Sequence, residues 1–165
     1  MEKDEEGYPL SWSRILIDPI GVVQTKAVGP EIRQKGALST IILRQELAAA
    51  VEGLDEFSHA FILFWMHEIP PAERRIVKTH PRGRRDLPFL GVFATRTPHR
   101  PNPIGLTLVE IVKVEGHVLT VRNLDAFDGT PVLDIKPFDP WDATDQARVP
   151  AWWRRLELER AARSE

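Results

Sequence analysis

The chain has 165 residues and a mass of 18.8 kDa, with 42% hydrophobic and 28% charged residues, which is enough for one domain with a real core. Its 22 Lys and Arg against 24 Asp and Glu leave a net charge of −2, which excludes a uniformly basic coat for nucleic acid. The balance is uneven, because residues 72–100 hold eight basic residues (Arg74, Arg75, Lys78, Arg82, Arg84, Arg85, Arg96, Arg100) and only Glu73 and Asp86 against them.

In chain order, residues 1–13 read as a loose, charged leader. Arg14 to Gln24 reads as a strand interrupted by Asp18-Pro19, and residues 25–39 as a loop. Thr40 to Leu43 predicts a short strand. Arg44 to Glu52 predicts a short helix closed by Gly53. Ser58 to Ile69 is a continuous apolar run with aromatic residues and predicts a strand buried on both sides. Residues 70–88 form a Pro- and Arg-rich loop, followed by a strand at Gly91 to Thr95. Leu106 to Val114 and Val118 to Leu124 form a hairpin about Glu115-Gly116. A turn at Asp128-Gly129 leads into a strand at Pro131 to Ile135. Pro150 then starts a helix running to Arg163, with Trp152, Trp153 and Leu156 on its apolar face. Many short strands, few helices and no βαβ alternation predict a mainly-β fold. We read it as a single-domain β-barrel over 14–140, with short helices and a C-terminal helical extension over 141–165.

Several chemistries are absent. There is no cysteine, so disulfides, thiolate metal sites and thiol nucleophiles are excluded. Neither a signal peptide nor a membrane span is legible, so a soluble, cytoplasmic protein is expected. No phosphate-binding P-loop and no dinucleotide-binding glycine fingerprint occur. His59 and His67 bracket the apolar strand at a spacing unlike that of metal ligands, so no metal is expected.

Four segments could carry chemistry. Gly91 to Gly105, GVFATRTPHRPNPIG, holds Arg96, His99, Arg100 and Asn102 on a backbone stiffened by three prolines. That is either a preorganised polar site or a rigid connection with solvated charges. Leu124 to Phe138 offers Asp125, Asp128, Asp134 and Lys136. Asp134 and Lys136 are two apart and share one side of a strand, either as site residues or as a structural ion pair. His67-Glu68 reads as the polar edge of a pocket. Arg82, Arg84 and Arg85 offer cations for phosphates, or a solvated charge run.

The motifs GLDEFSHAFILFWMH, GVFATRTPHRPNPIG and DGTPVLDIKPF, in that order, resemble the TsaA-like family, also called the TrmO family. The resemblance spans about Ile17 to Phe138. It implies a compact β-barrel that binds S-adenosylmethionine outside any Rossmann fold. It implies methylation of N6 in N6-threonylcarbamoyladenosine, next to the tRNA anticodon, by a homodimer with its cofactor near the subunit contact. Carried over by motif, the cofactor site falls on Arg33, Gln34, Lys35 and Gly36, on His67 and Glu68, on Arg96 and Leu106, and on Asp128, Gly129, Thr130 and Pro131. Arg82, Arg84, Arg85, Arg100 and Asn102 then suit the RNA, and Asp134 and Lys136 are the nearest candidates for aiding proton loss. Three features depart from the family pattern. Ile32 and Lys35 replace prolines of its Pro-Arg-Gln-Pro-Gly segment, Phe138 replaces a tyrosine, and a short helix stands where the bacterial type carries a further domain. That last difference keeps open a methyltransferase with another small-molecule or RNA acceptor, or a non-enzymatic barrel that senses a nucleotide-like ligand.

Overall fold

The computed structural model describes residues 15–162. Eight strands form among these residues: β1 (Gly21–Gln24), β2 (Leu38–Leu43), β3 (His59–Trp65), β4 (Lys78–Thr79), β5 (Leu90–Gly91), β6 (Ile104–Glu115), β7 (Val118–Arg122) and β8 (Pro131–Pro137). Six of them close a barrel in the order β1-β2-β7-β6-β3-β8, and β4-β5 is a separate two-stranded ribbon. Every paired strand runs antiparallel to its neighbour. The mainly-β barrel read from the sequence is the fold observed.

Alternation of side chains builds the barrel interior. Ala60, Ile62 and Phe64 of β3 point inward and are at most 4% exposed, with Ile41, Val109, Leu119, Val121 and Val132 fully buried around them. The apolar run of β3 is therefore not buried on both sides as predicted. Its other face, Phe61, Leu63 and Trp65, is half-buried on the barrel exterior. Opposite it on β6 stand Leu108, Leu106 and Ile104, so a second apolar surface, not a second core layer, accounts for the unbroken hydrophobicity.

Two other predictions give way to local geometry. Gly91 to Thr95 is not a strand: Val92–Ala94 forms a 3-10 turn, which Thr95 closes by donating Oγ1–H to the Val92 carbonyl at 2.8 Å. The strand predicted from Arg14 begins only at Gly21, beyond Pro19, and Ile15, Leu16 and Ile17 are exposed. Arg14 and the leader lie outside the described residues. The hairpin about Glu115-Gly116 is present, with Glu115 opposite Val118 and Gly116 at φ 57°. The short helix before Gly53 is a 3-10 helix, Gln45–Val51, and Gly53 follows at φ 81°.

A single α-helix, α1 (Ala151–Ala161), forms among the described residues, with Pro150 as its N-cap; the predicted end at Arg163 lies outside them. It buries Leu156 and is tied to the loop before β5 by four charged side chains. Arg84 binds both Asp86 (2.6 Å) and Glu159, and Arg155 binds Asp86 at 2.6 Å.

Candidate functional site at one rim of the barrel

Because neighbouring strands alternate in direction, the carboxyl ends of β1, β7 and β3 share one rim with the amino ends of β2, β6 and β8. Every motif segment carried over from the family opens onto that rim. Gln34, Lys35 and Gly36 precede β2, His67 and Glu68 follow β3, Arg96 to Asn102 precede β6, and Asp128 to Thr130 precede β8.

Hydrogen bonds tie these segments to one another. The Thr130 hydroxyl lies 3.4 Å from Nδ1 of His67, and Thr130 is itself 2% exposed, so it props the ring from beneath. Met66 donates its N–H to the Pro103 carbonyl at 2.8 Å, which sets the start of the His67-Glu68 edge beside the proline-rich loop. Arg96 Nη2 donates to the Leu106 carbonyl at 2.8 Å. Asp128 Oδ1 accepts from the Thr25 N–H at 3.0 Å, and Gly129, at φ 74°, donates its N–H to Val23. A positive φ is natural to glycine here, and it turns the chain back into β8.

Asn123 joins the site without having been singled out in the sequence. It sits just after β7 at φ 69°, and its Oδ1 accepts from the Gly36 N–H at 2.8 Å while its own N–H donates to Ala37 at 2.9 Å. The available signal was Asn at a strand end, since Asn adopts the left-handed region more readily than most residues.

The proline-rich loop is stiff for a second reason besides its prolines. Arg100 donates Nε–H to Thr97 O at 2.9 Å and Nη2–H to Thr95 O at 2.8 Å. Its guanidinium therefore braces the loop from inside instead of standing free for a phosphate. Arg84 is likewise engaged, between Asp86 and Glu159. Arg82, Arg85 and Asn102 remain exposed. His99 Nδ1 lies 2.7 Å from Oε2 of Glu73, an ion-pair distance without the angle of a hydrogen bond, and this contact fixes the loop against the 3-10 turn Pro71–Arg75.

Asp134 and Lys136 lie outside the barrel, opposite Leu63 and Phe61 of β3. Lys136 Nζ is 2.9 Å from Asp134 Oδ2, and that carboxylate raises the lysine pKa, chiefly through the hydrogen bond. Asp134 Oδ1 also accepts from the Ile135 N–H at 2.9 Å. This is the ion pair at a strand edge weighed from the sequence. The pair has a further effect: beyond Val132, β8 has no ladder with β1, and along that stretch Asp134 caps one N–H while Pro137 has none to offer. Such capping keeps an open edge from recruiting another strand.

Gln34 to Gly36, His67, Glu68, Arg96, Asp128 and Gly129 are exposed along the rim, with Thr130 buried beneath them, and a surface depression of about 400 Å³ bordered by Val51, Leu54, Phe57, Ile135 and Pro137 takes in none of them. Among the described residues no cluster of three or more His, Asp or Glu could hold a metal ion, and no helix is long and apolar enough to cross a membrane.

The fold and the rim define a class: closed six-stranded antiparallel barrels whose polar motifs gather at one end, with no βαβ nucleotide unit among the described residues. Residues 28–144 match the family described as the tRNA-methyltransferase O N-terminal domain, and the chain belongs to this TrmO family. A probable S-adenosyl-L-methionine-binding protein of Methanothermobacter thermautotrophicus is 46% identical over 134 residues, covering 78% of this chain and 93% of its own. The mouse tRNA (adenine(37)-N6)-methyltransferase is 49% identical over 88 residues, 52% of this chain and 20% of its own. The crystal structure of TrmO from Pseudomonas aeruginosa superposes with a TM-score of 0.67 at 32% identity, covering 87% of this chain; the chain spans 64% of that one.

Proposed function

We propose that this protein is an S-adenosylmethionine-dependent tRNA methyltransferase, and that its acceptor is N6 of N6-threonylcarbamoyladenosine beside the anticodon. The observation that carries the reading is the convergence of Gly36, His67, Arg96 and Asp128 to Pro131 on one rim, in a family whose relatives include S-adenosylmethionine-binding proteins.

The donor set fits that cofactor. Arg96 offers a cation for its carboxylate, while Glu68 and Asp128 offer negative charge for its sulfonium and amino groups. His67 and the turn at Gly129 add hydrogen-bonding groups. When bound, S-adenosylmethionine supplies the methyl group as an electrophile. The chain's own part is placement: a rim braced by Thr130, Arg100 and Asn123 holds these groups before anything binds. Holding an acceptor in attack geometry accounts for ~7–11 kcal/mol of barrier in favourable cases. Arg82, Arg85 and Asn102 take the RNA. Asp134 and Lys136 serve the proton step only if Lys136 releases its partner, because in its paired form it is held charged.

We further propose a homodimer formed through the exterior of β3 and β6, where Ile104, Leu106 and Leu108 are 37%, 47% and 41% exposed beside Phe61, Leu63 and Trp65. A second copy there would cover apolar surface and wall in a rim that is open in one chain.

Calorimetry with S-adenosylmethionine and its demethylated product tests the first step. Binding to the parent, weakened by Arg96→Ala by at least ~1.5 kcal/mol as for a charged hydrogen bond, is expected. No binding by the parent would end the proposal.

A further inference from the structure

We propose that the β4–β5 ribbon and its flanks, residues 75–93, form a docking surface for single-stranded RNA, with Arg75, Lys78, Arg82 and Arg85 taking phosphates and Phe89 and Phe93 stacking bases. The inference rests on the tRNA reading above and names the surface by which that substrate is held.

The basic segment divides into two kinds of cation. Arg74 donates to the Ile69 carbonyl and lies over the Trp65 ring, Arg84 is bound by Asp86 and Glu159, Arg96 by Leu106 O, and Arg100 by Thr95 O and Thr97 O. Arg74, Arg84 and Arg100 brace the fold, while Arg96 is tied by one nitrogen at the rim and stays exposed. Arg75, Lys78, Arg82 and Arg85 are exposed and have no ion-pair or hydrogen-bond partner among the described residues. The segment's acidic residues are both occupied, Glu73 by His99 and Asp86 by Arg84 and Arg155. Four free cations thus stand in this segment against one carboxylate, Glu73, whose neighbour is an imidazole.

Two exposed apolar rings belong to the same segment. Phe89 is 57% exposed and Phe93 is 81% exposed. In the ribbon, Lys78 pairs with Gly91 and Thr79 with Leu90, so by alternation Lys78 and Phe89 share a face. Phe89 leans on the His80 ring at 5.0 Å, which holds it upright. Gly91, opposite Lys78, leaves the space between lysine and ring open: a Cβ there would meet nothing closer than Val77 O at 3.9 Å. A base has room to lie on Phe89 while its phosphate meets Lys78. The ribbon runs through Phe93 directly into Thr95 and Arg96, so a strand bound on it is led to the rim.

Charge separates RNA from the other occupant, a second copy. Across a two-fold axis the same patch meets itself, and one excess of cations would face another. A polyanion satisfies them, and interleaved cations and aromatic rings are the pattern by which unpaired strands are held.

The test uses the full chain and a fluorescein-labelled anticodon stem-loop RNA, with anisotropy followed across a KCl series. Two paired variants, Arg75→Gln with Lys78→Gln and Arg82→Gln with Arg85→Gln, are compared with Lys113→Gln, which breaks an exposed ion pair with Glu115 at the far end of β6. Each paired variant should lower the slope of log affinity against log salt by about 1.4, at ~0.7 per single-strand phosphate contact, while Lys113→Gln should not. Phe89→Leu and Phe93→Leu should each weaken binding about 5- to 150-fold. Binding of S-adenosylmethionine by every variant serves as the check of folding.

RNA binding by the parent with unchanged slopes in the paired variants would overturn the ribbon and leave the tRNA reading standing. Absence of RNA binding by a parent that binds the cofactor would overturn both. If the Phe variants change sedimentation but not RNA affinity, the rings belong to a contact between copies and the stacking assignment is overturned.

Discussion

Gly105 lies on the inner face of β6 opposite Phe64, where a Cβ would come within 2.2 Å of the phenyl ring. Phe64 is 4% exposed and fills the barrel at that level, so it has little room to yield. Gly105→Ala should therefore cost about 1–3 kcal/mol of stability through overpacking, read as a lower midpoint in urea. A midpoint equal to the parent's would mean that the ring can swing aside. The glycine was legible as part of a motif, but its reason was not, because that reason lies on another strand. Thr130 behaves similarly. Its hydroxyl matters through His67, which is distant in sequence and 3.4 Å away in space. Thr130→Val keeps the shape and removes the contact, so cofactor affinity should fall by ~0.5–1.5 kcal/mol with stability little changed. Unchanged affinity in calorimetry would remove this prop from the site.

At the scale of elements, α1 is held to the ribbon by opposed charges. Arg84 and Arg155 hold the Asp86 carboxyl down at about 2 from its ordinary 3.8, with the hydrogen bond from Arg84 the largest cause. Arg84 also lowers the Glu159 pKa, and both carboxylates raise that of Arg84. A carboxylate with a lowered pKa in the folded state stabilises above its unfolded pKa and loses that contribution as pH falls through the folded value. Docking of α1 should thus be complete above about pH 4.5 and should weaken progressively toward pH 2. Trp152 or Trp153 fluorescence should report this before the barrel unfolds. The transition should be absent in Glu159→Gln with Asp86→Asn; an identical acid transition in that variant would place its cause elsewhere. High salt should loosen the same contact.

Elements with a strong local signal were legible in sequence. The β6–β7 hairpin announces itself by β-branched residues about Glu115-Gly116, and α1 by Pro150 and its tryptophans. Gly91 to Thr95 was not, because a short apolar run looks the same whether it extends or turns, and here both the N–H and the hydroxyl of Thr95 close the turn on the Val92 carbonyl. The tie between Arg84 and Glu159 spans 75 residues, so no local pattern could disclose it. The RNA expectation for Arg84 and Arg100 rested on charge and on the family motif, and neither reveals which cations the fold has already used.

For the whole molecule, the antiparallel barrel explains why separated motifs gather in one place: alternating strand direction delivers an end of each of the six strands to one rim. It also leaves an apolar exterior on β3 and β6 that one chain does not cover. Sedimentation should show a dimer that Leu108→Glu dissociates, with cofactor affinity falling alongside. A parent that sediments as a monomer while binding cofactor would contradict that assembly. The near-neutral net charge of −2 is compatible with RNA because the positive charge is concentrated on one ribbon beside the rim. The central claim is methyl transfer to tRNA. It is tested most directly by incubating the protein with S-adenosylmethionine and tRNA carrying N6-threonylcarbamoyladenosine, then digesting the RNA and weighing its nucleosides. The account predicts conversion of that nucleoside to a species one methyl group heavier, abolished by Arg96→Ala. Unmodified nucleoside in the presence of a protein that binds the cofactor would contradict it.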